Sequence, residues 1–258
     1  MKIINILEVR RIKIINMFDC HIAALTMKET IERIQGYIKE RKPVQHVVIN
    51  AGKVVLMKNN SELKNIIQKC QLINADGQSI VWASKVLNKP LPERVAGIDL
   101  MENLVRLSNK KGYRIYFFGA KENVVRKVID IYKDKYANLQ VVGYRNGYFT
   151  EEDNAEIVED MKKSKADILF VAFSSPKKEF WLANNMDKIG IPFCMGVGGS
   201  FDVVAGVTKR APLWMQKSGL EWFYRFIQEP KRMWKRYLVG NSKFIKIVIG
   251  ERFNKKEK

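Results

Sequence analysis

The feature that most constrains the fold is the regular alternation of short apolar runs with longer segments of helical periodicity. Several of the runs are continuously apolar, as expected for strands that are covered on both faces. Strands alternating with helices predict an α/β fold with a Rossmann-like, mostly parallel sheet and helices on both faces. The predicted strands span residues 13–15, 46–49, 72–73, 114–118, 140–142, 168–172 and 192–197.

Helical periodicity is clear in three segments between these strands. Thr26 and Glu29 form a capping-box pattern that predicts a helix through Lys39. Apolar spacing predicts a second helix over 122–136, and Thr150 is the predicted N-cap of a third over 151–161. Ligands of such sheets bind beyond the carboxyl ends of the strands. Polar residues that directly follow a strand are therefore the candidate site residues.

From about Gly206 the alternation gives way to a basic, aromatic, helical segment. Residues 208–258 hold 14 Lys and Arg against four Glu and no Asp, so they carry +10 of the chain's net charge of +19. One helix is predicted over 213–228, and Pro230 predicts its end at Glu229 and the start of another helix. We therefore divide the chain into an α/β domain over 1–206 and a basic helical C-terminal appendage over 207–258.

The composition of the appendage allows three interpretations. Cations interleaved with aromatic residues suit an interfacial membrane segment, where each basic group near anionic lipid contributes about 1 kcal/mol. The same residues could stack on bases and bind phosphates of a nucleic acid. The third interpretation is a solvated face whose aromatic residues pack on the α/β domain. No run of 18 apolar residues occurs, so no membrane-spanning helix is expected.

A glycine-rich turn follows the last predicted strand. It resembles a dinucleotide-binding fingerprint at Gly196 and Gly198, but Phe201 stands where the third glycine belongs. Gly198 and Gly199 still let backbone amides approach a diphosphate, and Asp202 could hold ribose hydroxyls. The alternative is a tight strand-to-helix turn without a ligand.

Two charged residues are further candidates. Asp76 directly follows the strand at 72–73, and is either a helix N-cap or a carboxylate presented at the edge of the sheet. Arg94 lies in a short connection, where a guanidinium facing the ligand edge would suit a phosphate or a sugar carboxylate.

Several kinds of site are missing from the sequence. It contains no Asp-x-Asp pair, no P-loop and no Gly-x-Ser-x-Gly elbow. His21 and His46 lack companion ligands at metal-site spacing. The scattered cysteines Cys20, Cys70 and Cys194 indicate reduced thiols in a cytoplasmic protein. We therefore predict neither a metal site nor a cofactor.

A set of short motifs occurs along the chain in one order. They are NADG at 74–77, ERVAG at 93–97, GYRNGYF at 143–149, PKKE at 176–179, GVGGSFD at 196–202, KRAP at 209–212, GLEWFYR at 219–225, EPKR at 229–232 and RY at 236–237. Each motif alone is weak. The ordered set, over about residues 12–244, resembles the WecG/TagA/CpsF family of bacterial glycosyltransferases.

The resemblance implies an inverting, metal-independent hexosyltransferase. Its donor would be a UDP-sugar, of the N-acetylmannosamine type or a related hexose or uronic acid, and its acceptor a polyprenyl-diphosphate-linked amino sugar. The product would enter teichoic acid or another cell-surface polysaccharide. The resemblance also implies a peripheral location on the inner face of the cytoplasmic membrane and no nucleic-acid partner, and it leaves a homo-oligomer open. The alternatives are a basic nucleic-acid-binding protein and a catalytically weak, membrane-associated scaffold of the same fold.

The resemblance also assigns roles to individual residues. Asp76 matches the general base that deprotonates the acceptor hydroxyl. Arg225, Arg232 and Arg236 (or Lys235) match cations that would cover the leaving diphosphate when no metal does so. Contacts to the nucleotide-sugar match Asn50, Arg94, Tyr148, Lys178, Glu179, Gly198, Gly199, Phe201 and Asp202.

Two positions depart from the family's pattern. Lys178 stands where the family usually has Gln, and Val48 stands where Thr is common. Both positions line the family's donor site, so their exchange leaves the donor sugar open. Lys178 is consistent either with a more anionic donor, such as a uronic acid, or with reduced activity.

Overall fold

The protein is described by a computed structural model that covers residues 12–253, apart from the side chains of residues 232, 233, 235 and 236. Its strands are β1 (Ile14–Met17), β2 (Cys20–Ala23), β3 (Val44–Ile49), β4 (Leu72–Ala75), β5 (Arg114–Gly119), β6 (Gln140–Arg145), β7 (Ile168–Ala172) and β8 (Phe193–Gly196). Strands β3 to β8 form one parallel sheet in the order β4-β3-β8-β7-β5-β6. The predicted α/β fold is confirmed.

The helices alternate with these strands until β8 and then follow one another. They are α1 (Met27–Glu40), α2 (Ala51–Asn59), α3 (Ser61–Lys69), α4 (Gln78–Val86), α5 (Gly97–Lys111), α6 (Glu122–Lys135), α7 (Asn154–Ser164), α8 (Lys177–Ile189), α9 (Ser200–Val204), α10 (Leu213–Lys217), α11 (Glu221–Gln228), α12 (Pro230–Trp234) and α13 (Gly240–Phe253). A π-helical turn, Lys235–Val239, joins the last two.

Successive residues of the central strands pack into opposite helical layers. On β5, Phe117 joins the core shared with α1, α5, α6 and α9, whereas Tyr116 and Phe118 join the core shared with α7 and α8. All three rings are fully buried. Because both faces are covered, the sheet is a rigid platform whose carboxyl edge can position side chains.

The structure also contains an antiparallel hairpin of which only the first strand was predicted. β1 pairs with β2 through the two-residue turn Phe18–Asp19. Both turn residues have positive φ, 56° and 57°. Turns of this geometry usually carry Asn or Gly, so the hairpin lacked its normal sequence signal.

Two predicted helices have different bounds. The single helix over 213–228 is wrong, because Gly219 takes a φ of +76° and separates α10 from α11. The helix over 151–161 begins instead at Asn154, because Thr150 donates to the Asp153 carboxylate at 2.8 Å in a turn ahead of it. The break before Pro230 and the capping box at Thr26 are confirmed.

The last helix, α13, returns to the first part of the chain. It packs against α2 and buries Phe244 and Val248 in the core that the hairpin also enters. The rings of Phe18 and Phe244 lie 5.4 Å apart, and the Phe18 amide donates to the Glu251 carboxylate at 2.9 Å. Within residues 12–253 no helix is long and apolar enough to cross a bilayer. The division into two domains near Gly206 stays a prediction.

Candidate functional site

A pocket of about 660 Å³ opens at the carboxyl edge of β3, β4 and β8. Ile49 of β3 pairs with Ala75 of β4, so Asn50 and Asp76 emerge side by side into it. Val197 and Gly199 enter it after β8, and residues of α4, α11 and α13 complete the wall. The pocket therefore lies where parallel α/β sheets bind ligands.

Asp76 lines this pocket and is half-buried. Its Oδ1 accepts a hydrogen bond of 3.2 Å from the amide of Gly97, the first residue of α5. The N-cap of α4 is Gly77 and not Asp76. Of the two interpretations of Asp76, the structure therefore supports a carboxylate presented at the edge of the sheet.

The surroundings of Asp76 raise its pKa above the ordinary carboxyl range. Burial is the largest cause, and it outweighs the nearby Arg94 and the hydrogen bond from Gly97, both of which lower the pKa. A carboxylate with a raised pKa is a stronger base than an exposed aspartate. The position thus suits proton abstraction.

Four charged side chains form a closed ring of ion pairs beside the pocket, and we call them the ion-pair ring. Arg94 lies 3.2 Å from Glu221 and 3.9 Å from Asp99. Arg210 lies 2.7 Å from Asp99 and 3.3 Å from Glu221. Asp99 is in the first turn of α5 and Glu221 in the first turn of α11. The ring therefore fixes α11 beside the pocket.

Two guanidinium nitrogens in the pocket residues lack a hydrogen-bond partner among the described residues. They are Nε of Arg225 and Nη2 of Arg210, and both are buried. A buried donor without a partner costs about 1–3 kcal/mol, which an anion in the pocket would offset. A Cβ added at Gly199 would stand only 3.0 Å from Nη2 of Arg225, so this cation faces the glycine-rich turn.

The glycine-rich turn is both a tight turn and part of the pocket. Gly198 has a φ of +56°, while Gly196 and Gly199 line the pocket. Phe201 is fully buried, with its ring 5.7 Å from that of Phe117. Gly198, Phe201 and Asp202 are not among the residues that line the pocket, so their assignment as donor contacts stays a prediction.

Lys178 and Glu179 lie beneath the pocket wall. Glu179 Oε1 is 2.6 Å from Lys53 Nζ and 2.9 Å from Lys178 Nζ, and Ser175 donates to the same carboxylate. Burial alone would raise the pKa of Glu179, but the two ammonium groups outweigh it and hold the pKa at about 2. The stem of Lys178 runs under Gly196, where a Cβ would meet it at 2.6 Å. The structure does not bring either residue into the pocket, and their donor role stays a prediction.

The remaining predicted contacts are spread around this site. Asn50 and Val48 line the pocket, and Asn50 also caps α2 by accepting from the Lys53 amide at 3.0 Å. Tyr148 follows β6, is largely exposed and does not line the pocket. The side chains of Arg232, Lys235 and Arg236 lie outside the described residues.

No metal site is seen in the part of the chain that the structure describes, since no three or more His, Cys, Asp or Glu side chains cluster there. His46 is fully buried, 3.0 Å from Asn74 Oδ1, and burial lowers its pKa to about 4. Independence from metal stays a prediction about the reaction.

Sequence reasoning missed three of the residues that build this site. Asp99, Arg210 and Glu221 were not singled out, although Arg210 and Glu221 lie within two of the ordered motifs, KRAP and GLEWFYR. A sequence motif identifies a residue but does not show which other residue it contacts in the folded protein. The ring depends on contacts between residues up to 127 positions apart, which only the fold brings together.

Comparison with known proteins gives a consistent result. The model of the glycosyl transferase WecG/TagA/CpsF family matches residues 15–258. A relative from Bacillus subtilis (strain 168), named N-acetylglucosaminyldiphosphoundecaprenol N-acetyl-beta-D-mannosaminyltransferase, is 36% identical over 192 residues, or 74% of this chain and 73% of the relative. A relative of the same name from Bacillus spizizenii (strain ATCC 23059 / NRRL B-14472 / W23) is 33% identical over 190 residues, or 74% and 72% of the two chains. The resemblance inferred from the ordered motifs is confirmed.

Proposed function

Because the chain belongs to the WecG/TagA/CpsF family of glycosyl transferases, we propose that it moves an N-acetylmannosamine-type sugar from UDP to a polyprenyl-diphosphate-linked amino sugar. The names of both relatives describe an N-acetylmannosaminyl transfer to N-acetylglucosaminyldiphosphoundecaprenol. The observation that carries the proposal for this chain is the pocket itself. It joins a carboxylate of raised pKa with three arginines, Arg94, Arg210 and Arg225.

The proposed reaction is a single displacement. The acceptor hydroxyl oxygen attacks the anomeric carbon on the face opposite UDP. The new carbon–oxygen bond forms as the bond to the β-phosphate oxygen breaks, which inverts the anomeric centre. Asp76 takes the proton of the hydroxyl, and UDP leaves with the bonding electron pair. The Gly97 amide keeps the carboxylate oriented toward the pocket.

The arginines stabilise the departing diphosphate in this proposal. Nε of Arg225 and Nη2 of Arg210 gain hydrogen-bond partners when an anion occupies the pocket. Donors placed where negative charge develops lower the barrier without a metal ion. Asn50, Arg94 and Gly199 contact the donor from the same wall. Arg232 and Arg236, which follow on α12 and the π-helical turn, add further cations.

The exposed surface of the segment from α10 to α13 supports a peripheral location on the inner face of the cytoplasmic membrane. Leu213, Trp214 and Leu238 are each at least 60% exposed. Lysines at the surface of the same segment supply attraction to anionic lipid, namely Lys217, Lys231, Lys243 and Lys246. An enzyme bound to the membrane through this surface would have access to an acceptor whose lipid is embedded in the bilayer.

The test is a product assay with the full chain. UDP-N-acetylmannosamine, its uronic acid, UDP-glucose and UDP-glucuronate are each offered with an N-acetylglucosaminyl-diphospho-lipid, with and without EDTA. We expect UDP release that requires the acceptor, is largest with UDP-N-acetylmannosamine and persists in EDTA. NMR of the product should show an anomeric configuration opposite to the donor's. A chain that transfers none of the four sugars would contradict the proposal and favour the non-catalytic scaffold.

A further inference from the structure

Two helices that are far apart in sequence line the same pocket as Asp76. From α4 come Gln78 and Ser79, next to Asp76 in the chain, and then Trp82, Ala83 and Val86. Val86 lies about 12 Å along the helix from Gln78 at 1.5 Å per residue. From α13 come Asn241, Phe244, Ile245, Val248 and Ile249. We call the apolar space between these helices the α4–α13 groove.

The apolar side chains of the groove are incompletely covered. Trp82 and Val86 are 51% and 53% exposed, and Ile245 and Ile249 are 57% and 50% exposed. The neighbouring Phe244 and Val248 are buried in the core. Thus α13 has two apolar sides. The rest of the protein covers the side with Phe244 and Val248, and leaves the side with Ile245 and Ile249 exposed. A contiguous exposed apolar surface of this kind is typical of a binding site.

The pocket therefore has two chemically different ends. One end holds the Asp76 carboxylate together with Arg94, Arg210 and Arg225, and the other end is the α4–α13 groove. A nucleotide or a sugar alone matches only the charged end. A ligand with a phosphorylated head and a branched hydrocarbon tail matches both ends at once.

We propose that the α4–α13 groove is a subsite for the first isoprene units of the acceptor lipid. This inference rests on the proposed function, in which the acceptor carries a diphosphate attached to such a lipid. The groove is short, so it holds only the units nearest the diphosphate. The rest of a long polyprenyl chain remains outside the protein.

The experiment measures binding rather than turnover, by calorimetry with the full chain. The probes are methyl, isopentenyl, geranyl and farnesyl diphosphate, which share the charged head and differ only in chain length. We expect affinity to rise by about tenfold for each isoprene unit up to the length of the groove, since burial of several carbons per unit corresponds to at least that ratio. Affinity that is the same for methyl and farnesyl diphosphate would overturn the inference.

Matched variants separate the groove from general surface hydrophobicity. Ile245→Asn changes a groove residue, and Ile227→Asn changes an isoleucine of similar exposure, 59%, that does not line the pocket. Val86→Asn and Val207→Asn form a second such pair. The groove variants should lose about tenfold in farnesyl diphosphate affinity and keep that for methyl diphosphate. Equal losses in the groove variants and their partners would also overturn the inference.

The binding assay tests the groove and the UDP-release assay tests the proposed function, so either proposal can be refuted without the other. Chain-length-dependent binding without sugar transfer would remove the proposed function and leave the groove as a prenyl-phosphate site. Sugar transfer without chain-length dependence would keep the proposed function and remove the groove. Because all four substituted side chains are at least half exposed, a general folding defect is not expected, and thermal unfolding of each variant checks this.

Discussion

The parallel sheet and the helices after Gly206 differ in how far their apolar side chains are exposed to solvent. The central strands β5 and β7 bury theirs almost completely, whereas Leu213, Trp214, Leu238 and Phe253 are each at least 60% exposed. The sheet thus obtains its stability within the chain and can hold Asp76 in place. The C-terminal segment thus leaves apolar surface exposed, and Nη2 of Arg210 and Nε of Arg225 have no hydrogen-bond partner among the described residues. The difference indicates that the sheet positions the side chains at its carboxyl edge, whereas the C-terminal helices present surface that a ligand or a membrane could cover.

The largest expected effect is on the sheet side of this comparison. Asp76→Asn removes the proposed base and should lower kcat by about 10³-fold. Its stability should not fall, because a raised pKa means that the folded state disfavours the ionised carboxylate that the variant removes. UDP-release kinetics and urea unfolding measure the two quantities. In the unaltered enzyme kcat/KM should fall as the pH is lowered through the raised pKa of Asp76, and this fall should occur at a higher pH than for an ordinary aspartate.

The control for this variant is Asp130→Asn, which changes an exposed carboxylate on α6. Its kcat should equal that of the unaltered protein. Full activity of the Asp76→Asn protein would remove Asp76 from the mechanism.

A somewhat smaller effect is expected from the helical side. Arg225→Ala removes a cation that faces the glycine-rich turn, and should lower kcat by about 10²-fold, as loss of one charge-stabilising donor does elsewhere. Arg225→Lys should recover part of this loss. Steady-state kinetics with Arg126→Ala, an exposed arginine of α6, provides the reference. An unchanged kcat would mean that α11 only packs and does not act on the diphosphate.

The stability of the sheet should depend on pH through His46. Burial lowers the pKa of His46 from 6.5 to about 4, so between these values the unfolded chain binds a proton that the folded chain does not. Stability is therefore lost as the pH falls, by roughly 2 kcal/mol between pH 7 and pH 5 for this group. Urea unfolding at both pH values should show a weaker dependence in His46→Gln than in His21→Gln. Identical dependence in the two variants would contradict this assignment.

The ion-pair ring links the two regions, and its loss should affect activity more than stability. Glu221→Gln should lower the free energy of unfolding by less than about 1 kcal/mol, because these side chains are partly exposed. It should lower kcat/KM by about tenfold, because α11 and Arg225 are no longer held at the pocket and a 1 Å misplacement already costs up to 10²-fold. Glu156→Gln on α7 is the control. A loss of stability without a loss of kcat/KM would show that the ring only supports the fold.

The smallest effect concerns the exposed lysines. Lys231→Gln should weaken binding to anionic liposomes about fivefold, which corresponds to about 1 kcal/mol, and the difference should shrink at high salt. Co-sedimentation compares it with Lys127→Gln on α6. Equal binding by both variants would argue against a membrane contact at Lys231.

Much of the fold could be predicted because its signals are local. All six parallel strands begin within two residues of their predicted starts, since continuous apolar runs mark strands covered on both faces. The hairpin was missed because Phe18 and Asp19 take left-handed conformations that glycine or asparagine usually signals. The break at Gly219 was missed because the apolar pattern continues across it.

The site was predictable only in part, for a related reason. Asp76 directly follows β4 and Gly199 lies three residues after the end of β8, so their positions in the chain point to the pocket. The ion-pair ring and the α4–α13 groove are made by segments that are distant in sequence, and no local pattern predicts which of them meet. The resemblance to the family supplied Arg225, which spacing alone would not have selected from the basic segment.

The hydrogen bond between Phe18 and Glu251 has a consequence for folding during translation. It joins residues 233 positions apart, and it holds α13 against the hairpin. At 5 to 20 residues per second, translation leaves the hairpin without this partner for on the order of 10 to 50 s. During that interval the side of Phe18 that packs on Phe244 lacks its partner on the nascent chain. The α4–α13 groove is completed only when α13 has left the ribosome, so the proposed lipid subsite would form later than the sheet.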